Sequence, residues 1–229
     1  MSNMFLELAL AIVPTVLAIT LHEAAHGYAA LALGDTTAKD AGRLSLNPLR
    51  HVDRMGTLII PGVLLISQLL LPPHRVSFMF GWAKPVPIAA WRFKDPRRGM
   101  AIVAMAGPAM NFFLAWLAAL VLLEVDNEIA GQFLFYFILT NLVLGLFNLL
   151  PIPPLDGGRV VVGLLPVGLA RTWAELERFG IPIVLGLVFL LPQITGWNPV
   201  GEALQAVLPW AFETIFMLAG HDLHGARIF

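Results

Sequence analysis

The sequence contains no cysteine. Disulfides and thiolate metal ligands are therefore excluded, and any metal would have to be held by His, Asp, Glu or water. Charge is also scarce: 13% of residues are charged, against about 25% in soluble domains. A net charge of −1 offers nothing to a nucleic-acid backbone, so no nucleic-acid partner is expected. No internal repeat and no low-complexity segment is visible. The N-terminus has neither a basic n-region nor a small-residue cleavage site, so the first apolar run is expected to be a retained helix. What is present is apolar: 58% of residues are hydrophobic and mean hydropathy is +0.80. The expected fold class is an all-α polytopic membrane protein with a small re-entrant extended or β element. About five or six transmembrane or half-crossing helices are expected. The 229 residues read as a single integral-membrane domain. Its core is 4–160, and 161–229 supply further membrane helices.

The first helix is expected from Met4 to Leu33, about 45 Å long at 1.5 Å per residue, with a kink at Pro14 and a stop at Gly34-Asp35. The loop from Thr36 to Arg54 is basic. Met55–Leu71 is a short apolar run stopped by Pro72-Pro73, and Val76–Ala90 is too rich in proline and aromatics for a helix. It reads as extended chain or an edge strand over 78–88. Further helices are expected at Gly99–Leu123 and Glu128–Leu150, at Val160–Leu169 as a half-crossing piece, and at Phe179–Leu191 and Ala203–Ala219. The positive-inside rule puts the loops at 36–54 and 92–98 inside and the acidic turn at 124–128 outside. Because two inside loops then flank 55–71, that run is expected to enter as a helix and 74–91 to return as extended chain. Lys84 and Trp82 are expected near the membrane interface.

His22-Glu23-Ala24-Ala25-His26 lies inside the first apolar run. On a helix, residues four apart project from one face, so His22 and His26 can share one zinc ion with Glu23 beside them as a base. A charge at the centre of a membrane helix costs roughly 2.5–3.5 kcal/mol on insertion scales, a cost tolerated where the group is paired, hydrated or functional. The other reading is a polar cluster that glues helices. Catalytic zinc takes three protein ligands and keeps one position open. Asp156 is a candidate third ligand, because Pro151, Pro153 and Pro154 break the preceding helix and Gly157-Gly158 permit close approach. An N-cap role for Asp156 on a helix starting near Gly157 fits the spacing equally well. Asn111, near Gly107-Pro108, reads as structural. His51 and His74 fall in loops, and His221 and His224 in an exposed C-terminal tail.

The His22–His26 motif, Ala106-Gly107-Pro108-Ala109-Met110-Asn111, and Asn148…Pro151…Leu155-Asp156-Gly157 together resemble the site-2 protease family of intramembrane zinc metalloproteases. Gly81-Trp82-Ala83-Lys84-Pro85-Val86-Pro87 and Asn47–Asp53 are similar to a compact bacterial branch without PDZ-like or CBS-like domains. The likeness covers roughly residues 20–160. It implies one zinc per chain on His22, His26 and Asp156. It makes Glu23 the catalytic base and gives Asn148 the scissile carbonyl or its oxyanion. It further implies hydrolysis of transmembrane protein substrates within the lipid bilayer, in a multi-pass bacterial inner-membrane protein. The competing class is a transporter or ion-pathway protein, since intramembrane His and Glu also mark such pathways. Transporters often carry internal repeats, and none is seen here.

Overall fold

The computed structural model describes residues 2–70 and 81–221. Helix α1 (Ser2–Ala32) runs unbroken through Pro14. It ends in a left-handed turn at Gly34, φ 97°, where Gly34 N–H reaches Leu31 O and Asp35 N–H reaches Ala30 O. A short turn, α2 (Thr37–Asp40), follows. Asp53 then caps a π-helical turn at Arg54–Ile59, accepting from the N–H groups of Met55 and Gly56, and the turn runs into α3 (Ile60–Leu70). The main helices after it are α4 (Pro96–Leu122), α5 (Glu128–Asn148), α6 (Asp156–Leu164) and α7 (Val167–Glu175). The chain ends in α8 (Gly180–Leu185), α9 (Leu191–Thr195) and α10 (Pro199–Leu218).

Among the described residues, four helical runs are long and apolar enough to cross a membrane: Leu6–Ala32, Pro96–Leu122, Glu128–Asn148 and Val167–Thr195. Arg54–Gln68 is apolar but shorter. The all-α expectation therefore holds. The expected β element differs: no strand occurs among the described residues, and 81–89 is extended chain without a ladder. Residues 78–80 of the expected edge strand lie outside the described residues. Pro85 and Pro87 have no N–H to give a ladder. The donors that remain go elsewhere: Trp82 N–H to Gly56 O, Lys84 N–H to His51 O, Val86 N–H to Glu23 and Ala89 N–H to Asp35. Trp82 thus lies beside Gly56, where the π-helical turn begins, so the chain goes out through α3 and comes back to the same level.

Of the other boundaries that depart from expectation, two have a local cause. Asp95 caps α4 by accepting from Arg97 and Arg98 N–H, which starts that helix at Pro96 instead of Gly99. Pro166 splits the expected Val160–Leu169 helix into α6 and α7.

Helix α4 is the central post, packed against α1, α5, α6 and α10. Its inner face is small: Gly107, Ala115, Ala118 and Ala119 are buried. With no hydrophobic drive between helices in lipid, small residues let backbones approach and van der Waals packing holds them. The main core joins Ala115, Ala118 and Ala119 to Ile138 and Leu142 of α5 and to Phe212 and Phe216 of α10. The Phe212 and Phe216 rings stack at 4.3 Å.

Candidate metal centre

Helices α1 and α4 run antiparallel, since His22 meets Asn111 while His26 meets Val103. This crossing carries the motif. The two imidazoles are edge to face, centroids 4.6 Å apart. They can sit so deep because α4 offers Gly107 there: a Cβ on it would lie 2.5 Å from both His22 Cε1 and His26 Nε2. Asp156 arrives from the first turn of α6. It caps nothing there: the N-cap residue is Leu155, without a side-chain cap bond. Its Oδ2 lies 3.1 Å from His22 Nε2 and 3.3 Å from His26 Nε2, and the two Nε2 atoms are 3.0 Å apart.

This trio fits a metal ion. His26 Nδ1 is 2.7 Å from the Val103 carbonyl. A carbonyl only accepts, so Nδ1 carries the proton and Nε2 of a neutral ring is a bare lone pair. That lone pair faces His22 Nε2 and the buried Asp156 Oδ2, which has no hydrogen-bond partner. His22, His26 and Asp156 are all buried, and their ligand atoms lie within 4.8 Å of one another. Lone pairs converging in a buried space repel unless a cation lies among them, and N and O donors of this kind suit zinc.

Glu23 is half-buried beside the trio, its Oε2 accepting from Val86 N–H at 3.1 Å. A cavity of about 320 Å³ opens over the site, lined by His22, Glu23, Ala83, Phe147, Asn148 and Leu155 among others. Asn148 is therefore in the same cavity. One of its two amide hydrogens is engaged by Leu144 O at 3.0 Å, leaving the second. A second, apolar cavity of about 600 Å³ lies between α3 and the run 181–193 and shares Trp82 and Ile181 with the first. Trp82 is half-buried across Gly56.

The remaining candidates lie outside both the trio and the cavity lining. Asn111 is fully buried between His22 and Asn141. His51 is buried and bonded through Nε2 to Ser45 O. His221 is not a loose tail residue: it is half-buried, bonded to Ala119 O at 2.8 Å and packed on Phe216. His74 and His224 lie outside the described residues. Two participants were not singled out in the sequence. Val86 acts through a backbone N–H, though the Pro85-Val86-Pro87 spacing marks it as the one donor of its triplet. Asn141 was marked only by being an amide in an apolar helix.

A helical membrane-type fold with two histidines, a carboxylate and an adjacent glutamate over a cavity defines the class of a zinc hydrolase. Known proteins agree. The family model "Peptidase family M50" matches residues 124–191. YwhC of Bacillus subtilis is 37% identical over 79% of this chain and 80% of its own length. Rip2 of Mycobacterium tuberculosis is 31% identical over 85% of this chain and 70% of its own. A zinc metalloprotease of Methanocaldococcus jannaschii is 37% identical over 35% of this chain and 24% of its own. YwhC and Rip2 are likewise named as zinc metalloproteases. No solved structure matches. The chain belongs to peptidase family M50, the site-2 proteases, and is a zinc metalloprotease. The likeness also extends past residue 160, where the sequence motifs alone end, to residue 191.

Proposed function

We propose that this chain is an intramembrane endopeptidase that hydrolyses peptide bonds in or near transmembrane segments of membrane proteins, as a step in regulated intramembrane proteolysis. The whole chain acts as one integral-membrane unit, a multi-pass protein of the cell membrane. The observation that carries this reading is the convergence of His22, His26 and Asp156 beside Glu23, with both histidines and the glutamate on a helix apolar enough to cross a membrane. The transporter reading has no comparable support.

His22, His26 and Asp156 hold the zinc. When bound, zinc supplies Lewis acidity that polarises a carbonyl and lets water ionise near neutral pH. Glu23 takes a proton from the attacking water as its oxygen bonds to the scissile carbon. The second Asn148 amide hydrogen donates to the carbonyl oxygen as negative charge develops there. Glu23 then returns the proton to the amine nitrogen as the C–N bond breaks, which leaves the base ionised for the next turnover. A transmembrane helix hides its carbonyls in its own hydrogen bonds, so the substrate must unwind first. In the extended segment, Trp82, Lys84 and Val86 spend their N–H groups on Gly56, His51 and Glu23. The intervening Gly81, Ala83 and Pro85 line the cavity, and successive residues of an extended chain point their polar groups to opposite sides. That side is the docking edge for the unwound substrate.

The test is the purified full chain in detergent with a transmembrane substrate. Wild type should cleave it, a chelator should stop cleavage, and added zinc should restore it. Glu23→Gln should keep zinc and lose about 10²–10⁴-fold in rate. Cleavage by Glu23→Gln at the wild-type rate would end this reading.

A further inference from the structure

Asn141 lies outside both the metal group and the cavity, yet it belongs to a buried chain of hydrogen bonds that starts on a metal-facing ring. We infer that Asn141 is a positioning residue: acting through Asn111, it fixes His22 as the Nδ1–H tautomer and so presents a bare Nε2 to the metal. The inference rests on the reading of His22 as a ligand.

The chain of bonds can be read only from its far end. The Phe137 carbonyl has no hydrogen to give, so Asn141 Nδ2 donates to it, at 2.8 Å. That orients the amide, and Asn141 Oδ1 faces the other way, toward Asn111. An amide oxygen accepts, so Asn111 turns its Nδ2 to it, at 2.8 Å. Asn111 Oδ1 is thereby left facing His22 Nδ1, at 2.6 Å. An oxygen accepts there too, so Nδ1 carries the proton and Nε2 is a lone pair.

An asparagine amide has nearly the same shape when flipped, so neither Asn111 nor Asn141 is oriented by its packing alone. The acceptor-only carbonyl at the end of the chain breaks that ambiguity. Turning either amide over would set donor against donor or acceptor against acceptor. Both side chains are fully buried, so no water competes for them. His26 reaches the same tautomer by one bond to a backbone carbonyl, whereas His22 reaches it through α4 and α5. Asn141 therefore ties the state of one ligand to the seating of α5, the helix that also ends at Asn148.

The test is zinc affinity of the full chain in detergent, measured by competition with a chromophoric chelator. Asn141→Leu should bind zinc about 10–100-fold more weakly, the usual loss for a group that orients a ligand. Asn111→Leu should lose as much, and the double variant no more than either, because the two act as one chain. Asn141→Asp, held as the neutral acid by burial, keeps a hydroxyl for the Phe137 carbonyl and an oxygen toward Asn111, and should recover affinity relative to leucine. Wild-type affinity in Asn141→Leu, additive losses in the double variant, or no recovery with aspartate would overturn the inference. If a variant fails to fold, nitrogen NMR of the wild type with ring-labelled histidine decides. The two rings whose Nε2 signals respond to zinc should both carry their proton on Nδ1, and an Nε2–H form at either one overturns it. A wild-type chain that binds no zinc would instead overturn the metal reading itself, which keeps the two failures apart.

Discussion

At the scale of single residues, the centre depends on one missing side chain as much as on those present. Gly107 gives up the volume that the His22 and His26 rings occupy. In Gly107→Ala the added methyl would sit 2.5 Å from both rings, and the rings cannot give way without leaving Asn111 and Val103. Overpacking of this kind costs about 1–3 kcal/mol. Gly107→Ala should therefore bind zinc more weakly by one to two orders of magnitude, checked by the same chelator competition, while far-ultraviolet circular dichroism still reports a helical protein. Asp156→Asn removes the negative charge but little volume. It should also weaken zinc binding, and it should not destabilise α6, because Asp156 caps nothing there.

At the scale of elements, the extended segment 81–89 serves as a clamp between Glu23, the proposed base, and the end of α1. Its inner anchor is Val86 N–H on Glu23. Val86→Pro removes that donor, whereas Val86→Ala keeps it. The proline variant should lose about tenfold or more in kcat, within the usual scale for a misoriented general base. The alanine variant should stay near wild type, and zinc content should be the same in both. Loss of kcat in both variants would assign the effect to the Val86 side chain. The outer anchor is Asp35, which is fully buried and accepts from Thr37 N–H and Oγ1 and from Ala89 N–H. Burial alone would raise its pKa, but these hydrogen bonds, with Arg92 at 3.8 Å, outweigh it and hold it below the usual carboxylate value. A carboxylate with a lowered folded pKa contributes stability that is full above the unfolded value of about 3.9 and is lost as pH falls through the folded one. Thermal stability should drop on acidification below about pH 4, and Asp35→Asn should flatten that part of the profile.

At the scale of the whole molecule, stability and chemistry sit on different stretches of the same helices. The large buried core uses the second half of α4, the middle of α5 and α10. The metal group uses α1, the first half of α4 and the start of α6. Removing zinc with a chelator should therefore lower the melting temperature without loss of helix at room temperature. The size of the shift should follow zinc concentration, as for any ligand that binds only the folded state. Wholesale unfolding on chelation would mean that the metal, not the α4–α5–α10 packing, holds the helices together.

Much of this was legible in the sequence because the information was local. Helical period alone put His22 and His26 on one face, and apolar length alone marked the spans around α1, α4 and α5, whereas Val167–Thr195 was expected only as the separate pieces Val160–Leu169 and Phe179–Leu191. The breaks at Pro151–Pro154 announced that the chain turns where Asp156 stands, though spacing could not choose between a cap and a ligand. Tertiary structure removed the cap and brought the Asp156 carboxylate to the two histidines, which depends on where α6 begins relative to α1, a relation between residues more than a hundred positions apart. It also decided the state of 81–89. Proline and aromatic content indicated an extended chain, but its backbone donors are taken by Gly56, His51, Glu23 and Asp35 rather than by a neighbouring strand. Asn141 was the least visible from sequence. Nothing in its neighbours along α5 indicates that its amide faces Asn111, since that follows only from the packing of α5 on α4. The sequence by itself determined which side chains could do the chemistry. Packing among helices distant in sequence decided which of them meet, because hydrogen-bond direction and ligand convergence are properties of contacts and not of the chain.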